Sequence, residues 1–333
     1  MATTIKDVAK YTGLSISTIS KYLNGGNVLE PNKELIEKAI QKLDFKVNEM
    51  ARGLKTSRSM TVGVLIPSLE NIFFTSIVSY IESILLQEGY STILCGYKES
   101  SELEEKKLQF LLDKMVDGIV MMPLFDNDDL VKMVIDKGIP IVLIDRLINN
   151  ISCDVVLVDN LNASYNAVEQ LIVNGHRRIG IIVGPKNIYT AQERLKGYIR
   201  VLEDYCLDVD PCLIKYGDYK IQSGYDLLQE LMGIDPPPTA IYVTNYEMTV
   251  GSIIAINENN IKIPEDLSLI GFDNLDLARI VRPPLSIVVQ PVKQIGETAA
   301  RVLLKRLRSD LSGFPLVARL KTELLLRDSI KKV

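Results

Sequence analysis

The sequence predicts an α/β protein with a small all-α head, a short hinge helix and two lobes that each hold a doubly wound parallel sheet. Between Thr3 and Asn24, apolar residues recur at helical spacing on either side of a break at Gly13, which is the period of two short amphipathic helices. From Val62 onward, short apolar runs rich in β-branched residues alternate with longer amphipathic runs. This alternation begins again at Arg178, so we expect two parallel sheets of the same kind.

The first part of the head is predicted to be two helices joined by a tight turn. Thr4 can cap the first helix, Gly13 can end it in a left-handed conformation, and Ser15 can cap the second helix. On the second helix, Ile19 and Leu23 face inward. The outward face carries mostly small polar groups and one cation: Ile16, Ser17, Ser20 and Lys21. Such a face suits the DNA major groove. The alternative is a helical hairpin within the core of an enzyme.

Positive charge is concentrated at one end of the chain. The formal net charge is −4, but residues 1–60 carry ten Lys and Arg against six Asp and Glu, a balance of +4. The remainder therefore carries −8. Because phosphate contact needs concentrated positive charge, this distribution indicates that the head contacts nucleic acid.

The composition excludes several classes of protein. With 333 residues, 47% hydrophobic and 24% charged, the chain has the size of two or three ordinary globular domains. It contains no long apolar run and no apolar segment near its N-terminus, so we expect a cytoplasmic protein without a membrane span or secretory signal. Four cysteines without CxxC spacing and a single histidine, His176, argue against a metal site. We expect reduced, mostly packed thiols and no cofactor.

A third helix and a hinge are predicted to follow the helical pair. The third helix begins near Glu30-Pro31 and supplies an apolar stripe that closes the core of the head. Residues 48–54 then show a short helical pattern within basic, polar chain. Seven residues are too few for a stable isolated helix, and Gly53 weakens it by roughly 0.5–1 kcal/mol relative to alanine. We therefore expect a helix that forms conditionally.

The strand ends of the two sheets predict a ligand cleft. Ligands of open α/β sheets lie at the carboxyl ends of the strands, so two facing sheets make a cleft between lobes. The side chains delivered there are Asn71, Phe73, Phe74, Asp145, Arg146, Arg194, Tyr219, Asn245, Tyr246, Asp273 and Gln290. Aromatic rings stack on the apolar face of a sugar, and planar polar groups bind paired hydroxyls. This set therefore predicts a small sugar, with no catalytic role for any of these residues.

The N-terminal motifs Thr4-Ile5-Lys6-Asp7-Val8-Ala9 and Ser17-Thr18-Ile19-Ser20, with Asn24, resemble the start of the LacI/GalR family of bacterial transcription regulators. The resemblance covers the whole chain. It implies a homodimer bound to double-stranded operator DNA, with the second helix in the major groove and Leu54 wedged into the minor groove. The DNA-contacting residues that it implies are Thr4, Ser15, Ile16, Ser17, Thr18, Ser20, Lys21, Asn24, Asn48, Ala51, Arg52, Leu54 and Lys55.

Two departures from the family pattern bear on the operator. Val47 stands where the family usually has proline, and Lys21 stands where an arginine is common. Because lysine cannot make the planar two-pronged contact of arginine to guanine, we expect an operator that differs from the common one.

The larger part of the chain resembles the ribose-type periplasmic sugar-binding proteins, which have the type I periplasmic-binding fold. Their hydroxyl-contacting residues match Asp145, Arg146, Arg194, Asn245, Asp273 and Gln290, and their stacking rings match Phe74 and Tyr219. Tyr246 replaces the usual aspartate of the family, which leaves the identity of the sugar open.

The expected domains are a helix-turn-helix domain (1–46), a hinge helix and linker (47–60) and an effector-binding and dimerisation domain (61–333). Lobe one is expected at about 61–160 and 291–322, and lobe two at about 161–290 and 323–333. A last strand, Val317–Leu325, follows the final helix, so the chain is expected to cross between the lobes before it ends.

The main functional prediction is a repressor that a sugar releases from its operator. The alternative with the same fold is a catabolite-control regulator that uses a phosphorylated carrier protein as corepressor. Arg301 and Lys305 resemble the basic pair of that subgroup, but Lys293 replaces its tyrosine. A third alternative is a sugar-binding or transport protein. The sequence contains no Gly-x-Ser-x-Gly elbow and no Walker loop, so we expect no enzyme, although two cleft carboxylates could act as a glycosidase pair.

Overall fold

A computed structural model describes residues 3–23, 26–45, 58–98, 100–124, 128–148, 150–273 and 275–333. The chain forms two compact units, Met1–Met60 and Thr61–Val333. Asn24 and the predicted hinge contacts Asn48, Ala51, Arg52, Leu54 and Lys55 lie outside the described residues.

The head is a three-helix unit. Its helices are α1 (Ile5–Thr12), α2 (Ile16–Leu23) and α3 (Glu30–Lys42). Gly13 ends α1 with a φ of 71° and donates its N–H to the carbonyl of Ala9, as the sequence predicted. The core of the head is formed by Val8, Ile19, Ile36, Ala39 and Phe45. Four of these residues come from the three helices and Phe45 follows α3, so the helical pair needs α3 to bury its apolar faces.

The second unit contains two six-stranded sheets with helices packed on them. The elements of lobe one are β1 (Thr61–Ile66), α4 (Ile72–Gln87), β2 (Ser91–Gly96), α5 (Ser101–Asp113), β3 (Gly118–Met121), α6 (Asp128–Asp136), β4 (Ile141–Ile144), β5 (Asp154–Val158), α12 (Val292–Leu307) and β11 (Val317–Leu320). The elements of lobe two are α7 (Asn160–Val173), β6 (Ile179–Val183), α8 (Tyr189–Asp204), β7 (Ile214–Tyr216), α9 (Ile221–Met232), β8 (Ala240–Val243), α10 (Tyr246–Glu258), β9 (Ser268–Phe272), α11 (Leu275–Ile280), β10 (Ser286–Val289) and β12 (Glu323–Leu325).

The two sheets share one topology. Their strand orders are β11-β5-β4-β3-β1-β2 in lobe one and β12-β10-β9-β8-β6-β7 in lobe two. All pairings are parallel except that of β10 with β12. The central strands are buried along their whole length, which explains why the sequence shows continuous apolar runs rather than alternation. The predicted fold class of a helical head followed by two parallel-sheet lobes is confirmed.

The chain passes between the lobes three times. The last passage divides what the sequence predicted to be one strand. The chain crosses after β5, after β10 and between β11 and β12. The predicted single strand Val317–Leu325 is therefore two strands, which pair with β5 of lobe one and β10 of lobe two. Helix α7, which begins lobe two after the first passage, was not predicted from the sequence.

His176 has a structural role. It is buried, and its ring nitrogens contact the Thr239 hydroxyl and the Lys331 carbonyl. The expectation of packed thiols is correct for Cys95 and Cys153 and wrong for the exposed Cys206 and Cys212. Among the described helices, none combines the length and the apolar character needed to cross a membrane.

Candidate functional site

A cavity of about 680 Å³ lies between the two lobes of the large unit, at the carboxyl ends of the strands. The structure brings all eleven predicted effector residues to its wall: Asn71, Phe73, Phe74, Asp145, Arg146, Arg194, Tyr219, Asn245, Tyr246, Asp273 and Gln290. This volume is typical of a small-molecule site.

Arg194 of α8 is held in place by its own lobe. Its Nε donates to Asn160 Oδ1 at 2.8 Å and its Nη1 donates to the carbonyl oxygen of Thr244 at 2.5 Å. The guanidinium also stacks on the Phe272 ring, 3.9 Å from the ring centroid. These contacts fix the plane of the guanidinium. They use two of its five N–H donors, and the other donors can bind a ligand.

Asp145 and Arg146 follow β4 and form a buried charged pair in the lobe-one wall. Both residues are 8% exposed, and Arg146 Nε lies 4.0 Å from Asp145 Oδ2, so the pair is buried rather than a surface ion pair. Arg146 Nη1 donates to the carbonyl oxygens of Pro123 and Leu124. Burial raises the pKa of the Asp145 carboxyl, while the two cleft arginines oppose that rise.

Asp273 and Gln290 form the corresponding wall of lobe two. Gln290 Nε2 donates to Asp273 Oδ2 at 2.9 Å, which leaves Gln290 Oε1 buried and, among the described residues, without a hydrogen-bond partner. A buried acceptor of this kind is rare and marks a place where a ligand donor would be stabilised. Burial raises the pKa of the Asp273 carboxyl to about 6.

Four residues of the cavity wall have left-handed backbone conformations: Lys98, with a φ of 50°, and three others. The φ angles are 69° at Asp145, 68° at Tyr219 and 61° at Asp273. Each follows a strand at its carboxyl end, and non-glycine residues with such φ angles are uncommon. Because strained residues cluster at ligand sites, this observation agrees with the side-chain geometry.

The aromatic part of the wall comes from both lobes. Phe73 and Phe74, in the first turn of α4, lie edge to face with 5.4 Å between ring centroids. In lobe two, Asn245 caps α10 by accepting the N–H of Met248 and donates to the Tyr219 carbonyl oxygen at 3.2 Å. Asn245 therefore positions Tyr219, and one N–H of its amide remains for a ligand.

Several residues at the cavity were not predicted from the sequence. They are Pro67, Ser68, Leu69, Glu70, Gly96, Lys98, Thr190, Lys220, Ile221, Gln222 and Glu247. Glu247 accepts a hydrogen bond at 2.8 Å from Asn71 Nδ2, so this pair joins lobe two to lobe one. Thr190 lies in the first turn of α8, the helix that follows β6, whereas nothing in the sequence indicates the Asn71–Glu247 contact.

The head presents a polar face on α2. Ile19 is fully buried, whereas Ile16, Ser17 and Lys21 are exposed, as the sequence predicted; Ser20, also expected to face outward, is half-buried. The Ser15 hydroxyl accepts the N–H of Thr18, so Ser15 caps the helix. A groove of about 490 Å³ beside this face is lined by Ser17, Thr18, Lys21, Asn27, Val28, Leu29 and Asn32. Asn27 and Asn32 are polar residues of this groove that the sequence analysis missed.

A helical head with an exposed polar, cationic helix, in one chain with a two-lobed ligand cleft, defines a ligand-responsive DNA-binding regulator. The family model described as bacterial regulatory proteins, lacI family, matches residues 4–48. The model described as periplasmic binding proteins and sugar binding domain of LacI family matches residues 59–313. The chain belongs to the LacI family of bacterial transcription regulators.

Similar proteins span the full length of the chain. The HTH-type transcriptional repressor PurR of Pasteurella multocida (strain Pm70) is 32% identical over 330 residues, 98% of each chain. The catabolite control protein A of Priestia megaterium is 34% identical over 312 residues, 93% of this chain and 94% of its own. The lac repressor dimer bound to operator and the anti-inducer ONPF matches with a TM-score of 0.90 and 25% identity, over 99% of this chain and 100% of its own.

The LacI-family membership therefore makes this protein a DNA-binding transcription regulator with a small-molecule effector domain. Its named relatives are regulators rather than enzymes.

Proposed function

We propose that this protein is a cytoplasmic, homodimeric repressor that releases its operator when a monosaccharide binds in the interlobe cleft. The observation that carries the ligand part is the composition of the cleft: two buried carboxylates, two fixed guanidiniums and flanking aromatic rings. The opposite charges balance, so the cleft suits a neutral ligand with many hydroxyl groups better than an ionic one. We propose that these groups act by binding and not by catalysis.

The residues proposed to contact DNA in the head are Thr4, Ser15, Ile16, Ser17, Thr18, Ser20 and Lys21. Support comes from the exposure of Ser17 and Lys21 on α2 and from the positive charge of residues 1–60. Asn24, in the head, is also proposed from the sequence to contact DNA, as are the hinge residues Asn48, Ala51, Arg52, Leu54 and Lys55. We place the domain boundaries at 46 and 60.

Homodimerisation is proposed because one small head offers too little contact for tight operator binding. Exposed apolar side chains on lobe one are consistent with a subunit interface, among them Ile72 and Tyr80 of α4 and Leu94 of the edge strand β2. The lac repressor in the similar structure is itself a dimer on operator DNA.

The phosphorylated carrier protein is the second candidate effector, and similarity to a catabolite control protein favours it. Arg301 is exposed on α12, but Lys305 Nζ donates to the Ser312 carbonyl oxygen at 2.6 Å and lies 3.9 Å from Asp310. Because Lys305 is already engaged, the basic pair is less available for a phosphoserine than the sequence alone indicated.

A thermal-shift panel tests the proposed ligand class. D-ribose, D-glucose, D-galactose, glucose 6-phosphate and adenine are compared on the wild-type protein and on Arg194→Ala. We expect one neutral sugar to raise the melting temperature of the wild type, because a bound ligand stabilises the folded state by mass action. The same sugar should leave Arg194→Ala unshifted. A shift given only by glucose 6-phosphate or adenine would contradict the neutral-sugar assignment.

A further inference from the structure

Gly184, the residue directly after β6, lies under the tip of the Tyr219 ring. A Cβ atom placed on Gly184 would stand 2.0 Å from Tyr219 Cζ, 2.2 Å from Cε1 and 2.4 Å from Oη. Ordinary carbon–carbon contact needs about 3.5–4.0 Å, so the ring would have to recede by roughly 1.5 Å to admit one methyl group. The ring therefore occupies space that exists because residue 184 is glycine.

The rest of Tyr219 is held where it is by lobe two. Its backbone is left-handed with a φ of 68°, and its carbonyl oxygen accepts the Asn245 amide at 3.2 Å. Its hydroxyl lies 3.3 Å from Thr190 Oγ1. The ring also packs against the buried apolar side chains on both faces of the lobe-two sheet. Close-packed interiors do not absorb such a displacement, so a ring pushed off Gly184 can move only into the cavity that it lines.

We propose that Gly184 is a specificity-determining residue, because it sets how far the Tyr219 ring projects into the cleft and hence the depth available to the ligand. This inference rests on the proposed function, since it takes the cleft to be the effector site. Gly184 makes no contact with the ligand and acts through Tyr219. A side chain at this position makes the cavity shallower and favours smaller ligands.

Crystal structures of the ligand-free wild type, Gly184→Ala and Gly233→Ala test the steric part without any ligand. Gly233 is the matched control, because a Cβ there meets its nearest neighbours at 3.4 and 3.6 Å, which is ordinary contact. We expect the Tyr219 ring to be displaced into the cleft in Gly184→Ala and unmoved in Gly233→Ala. An unmoved ring in Gly184→Ala, or one that moves away from the cleft, would overturn the inference.

Calorimetric titration of D-ribose, D-glucose and maltose tests the consequence for binding. In Gly184→Ala the affinity for the largest sugar that the wild type binds should fall about tenfold, within the range for overpacking a tight site. The Tyr219→Ala background removes the obstructing ring. In this background, adding Gly184→Ala should leave the sugar affinity unchanged, and the double variant should fold normally. An equal loss in both backgrounds would refute the role of Tyr219. If no sugar binds the wild type, the proposed effector class fails, while the ring position in the crystals still decides this inference.

Discussion

At the residue scale, the cleft is built from side chains that their own lobe has already oriented. Arg194 is fixed by two hydrogen bonds and by the Phe272 ring, and Gln290 is fixed by Asp273. Each side chain keeps groups that can form hydrogen bonds to a ligand. Arg194 has further N–H donors, and Gln290 has the acceptor Oε1. Preorganised groups lose little freedom when a ligand binds, so a small molecule can gain affinity from few contacts.

Asp273 gives a prediction about pH. Burial raises its pKa to about 6, and the Asp145 carboxylate adds to the rise, whereas Arg194 and Gln290 oppose it. Since hydroxyl groups of a ligand donate to the ionised carboxylate, calorimetry should show the affinity falling about tenfold between about pH 7 and pH 5. In Asp273→Asn, which keeps the shape without the charge, this fall should be much smaller. An unchanged slope in Asp273→Asn would show that another group titrates.

The raised pKa of Asp273 affects folding stability in the opposite direction from ligand affinity. The folded protein holds the Asp273 proton more tightly than the unfolded chain, where the pKa of an aspartate is about 3.9. The contribution of Asp273 to the free energy of unfolding therefore increases as the pH falls through about 6 and levels off near the unfolded pKa.

The sequence predicted the polar residues of the site but not its steric contacts. Asp145, Asp273 and their partners follow strand ends, and that position alone brings them to one edge of each sheet. Gly184 was missed because its role is the absence of a side chain beneath Tyr219, which only the folded geometry shows. The Asn71–Glu247 pair was missed because its members lie 176 residues apart in the chain.

At the element scale, the sequence predicted which elements form better than it predicted where they begin and end. The apolar spacing of residues 77–86 predicts a helix there, but α4 begins earlier, at Ile72, because Asn71 Oδ1 accepts the N–H of Phe73 and caps the helix. The amphipathic run at residues 221–232 predicts a helix with the bounds that α9 has. The division of Val317–Leu325 into β11 and β12 was missed because both halves have strand-like sequence, and only the presence of two sheets separates them.

Helix α2 gives a prediction about DNA recognition. A DNA site is first selected from a random library by the wild-type protein, and Lys21→Ala and Lys38→Ala are then compared on this site and on a scrambled duplex. Both lysines are exposed, but Lys38 lies on α3 and Lys21 on α2. We expect Lys21→Ala to lose about tenfold or more in affinity for the selected site and so relax the preference over scrambled DNA.

Lys38→Ala removes the same charge from another helix and should weaken binding less and equally for both duplexes, by anisotropy titration at fixed salt. Equal behaviour of the two variants would mean that α2 does not read the bases.

At the scale of the whole large unit, two side-chain contacts join the lobes. Asn71 of lobe one donates to Glu247 of lobe two, and Asn71 is oriented for this because its Oδ1 already accepts the N–H of Phe73. Arg319 of β11 donates to the Tyr189 hydroxyl at 3.1 Å, and the Tyr189 ring packs against the lobe-one core. The lobes are thus positioned in part before binding, which favours hinge closure over a small ligand.

The contact between Asn71 and Glu247 predicts a change in lobe closure. Glu247→Ala removes the acceptor, and we expect the scattering radius of gyration of the ligand-free protein to increase and the ligand affinity to fall about two- to tenfold, the range of one hydrogen bond. Glu247→Gln keeps an acceptor oxygen and should behave like the wild type. If both variants lose affinity equally, the charge of Glu247 rather than its hydrogen bond to Asn71 is what matters.

A ligand can change DNA affinity only through its own preference for one arrangement of the protein over another. The most direct test measures the dissociation constant of the protein for its selected DNA site, with and without the sugar that gives the largest thermal shift, in the wild type and in Arg194→Ala. We expect the sugar to weaken DNA binding by the wild type, whereas Arg194→Ala should bind DNA normally and not respond at the same concentration. Release of DNA by Arg194→Ala at the wild-type sugar concentration would contradict this expectation.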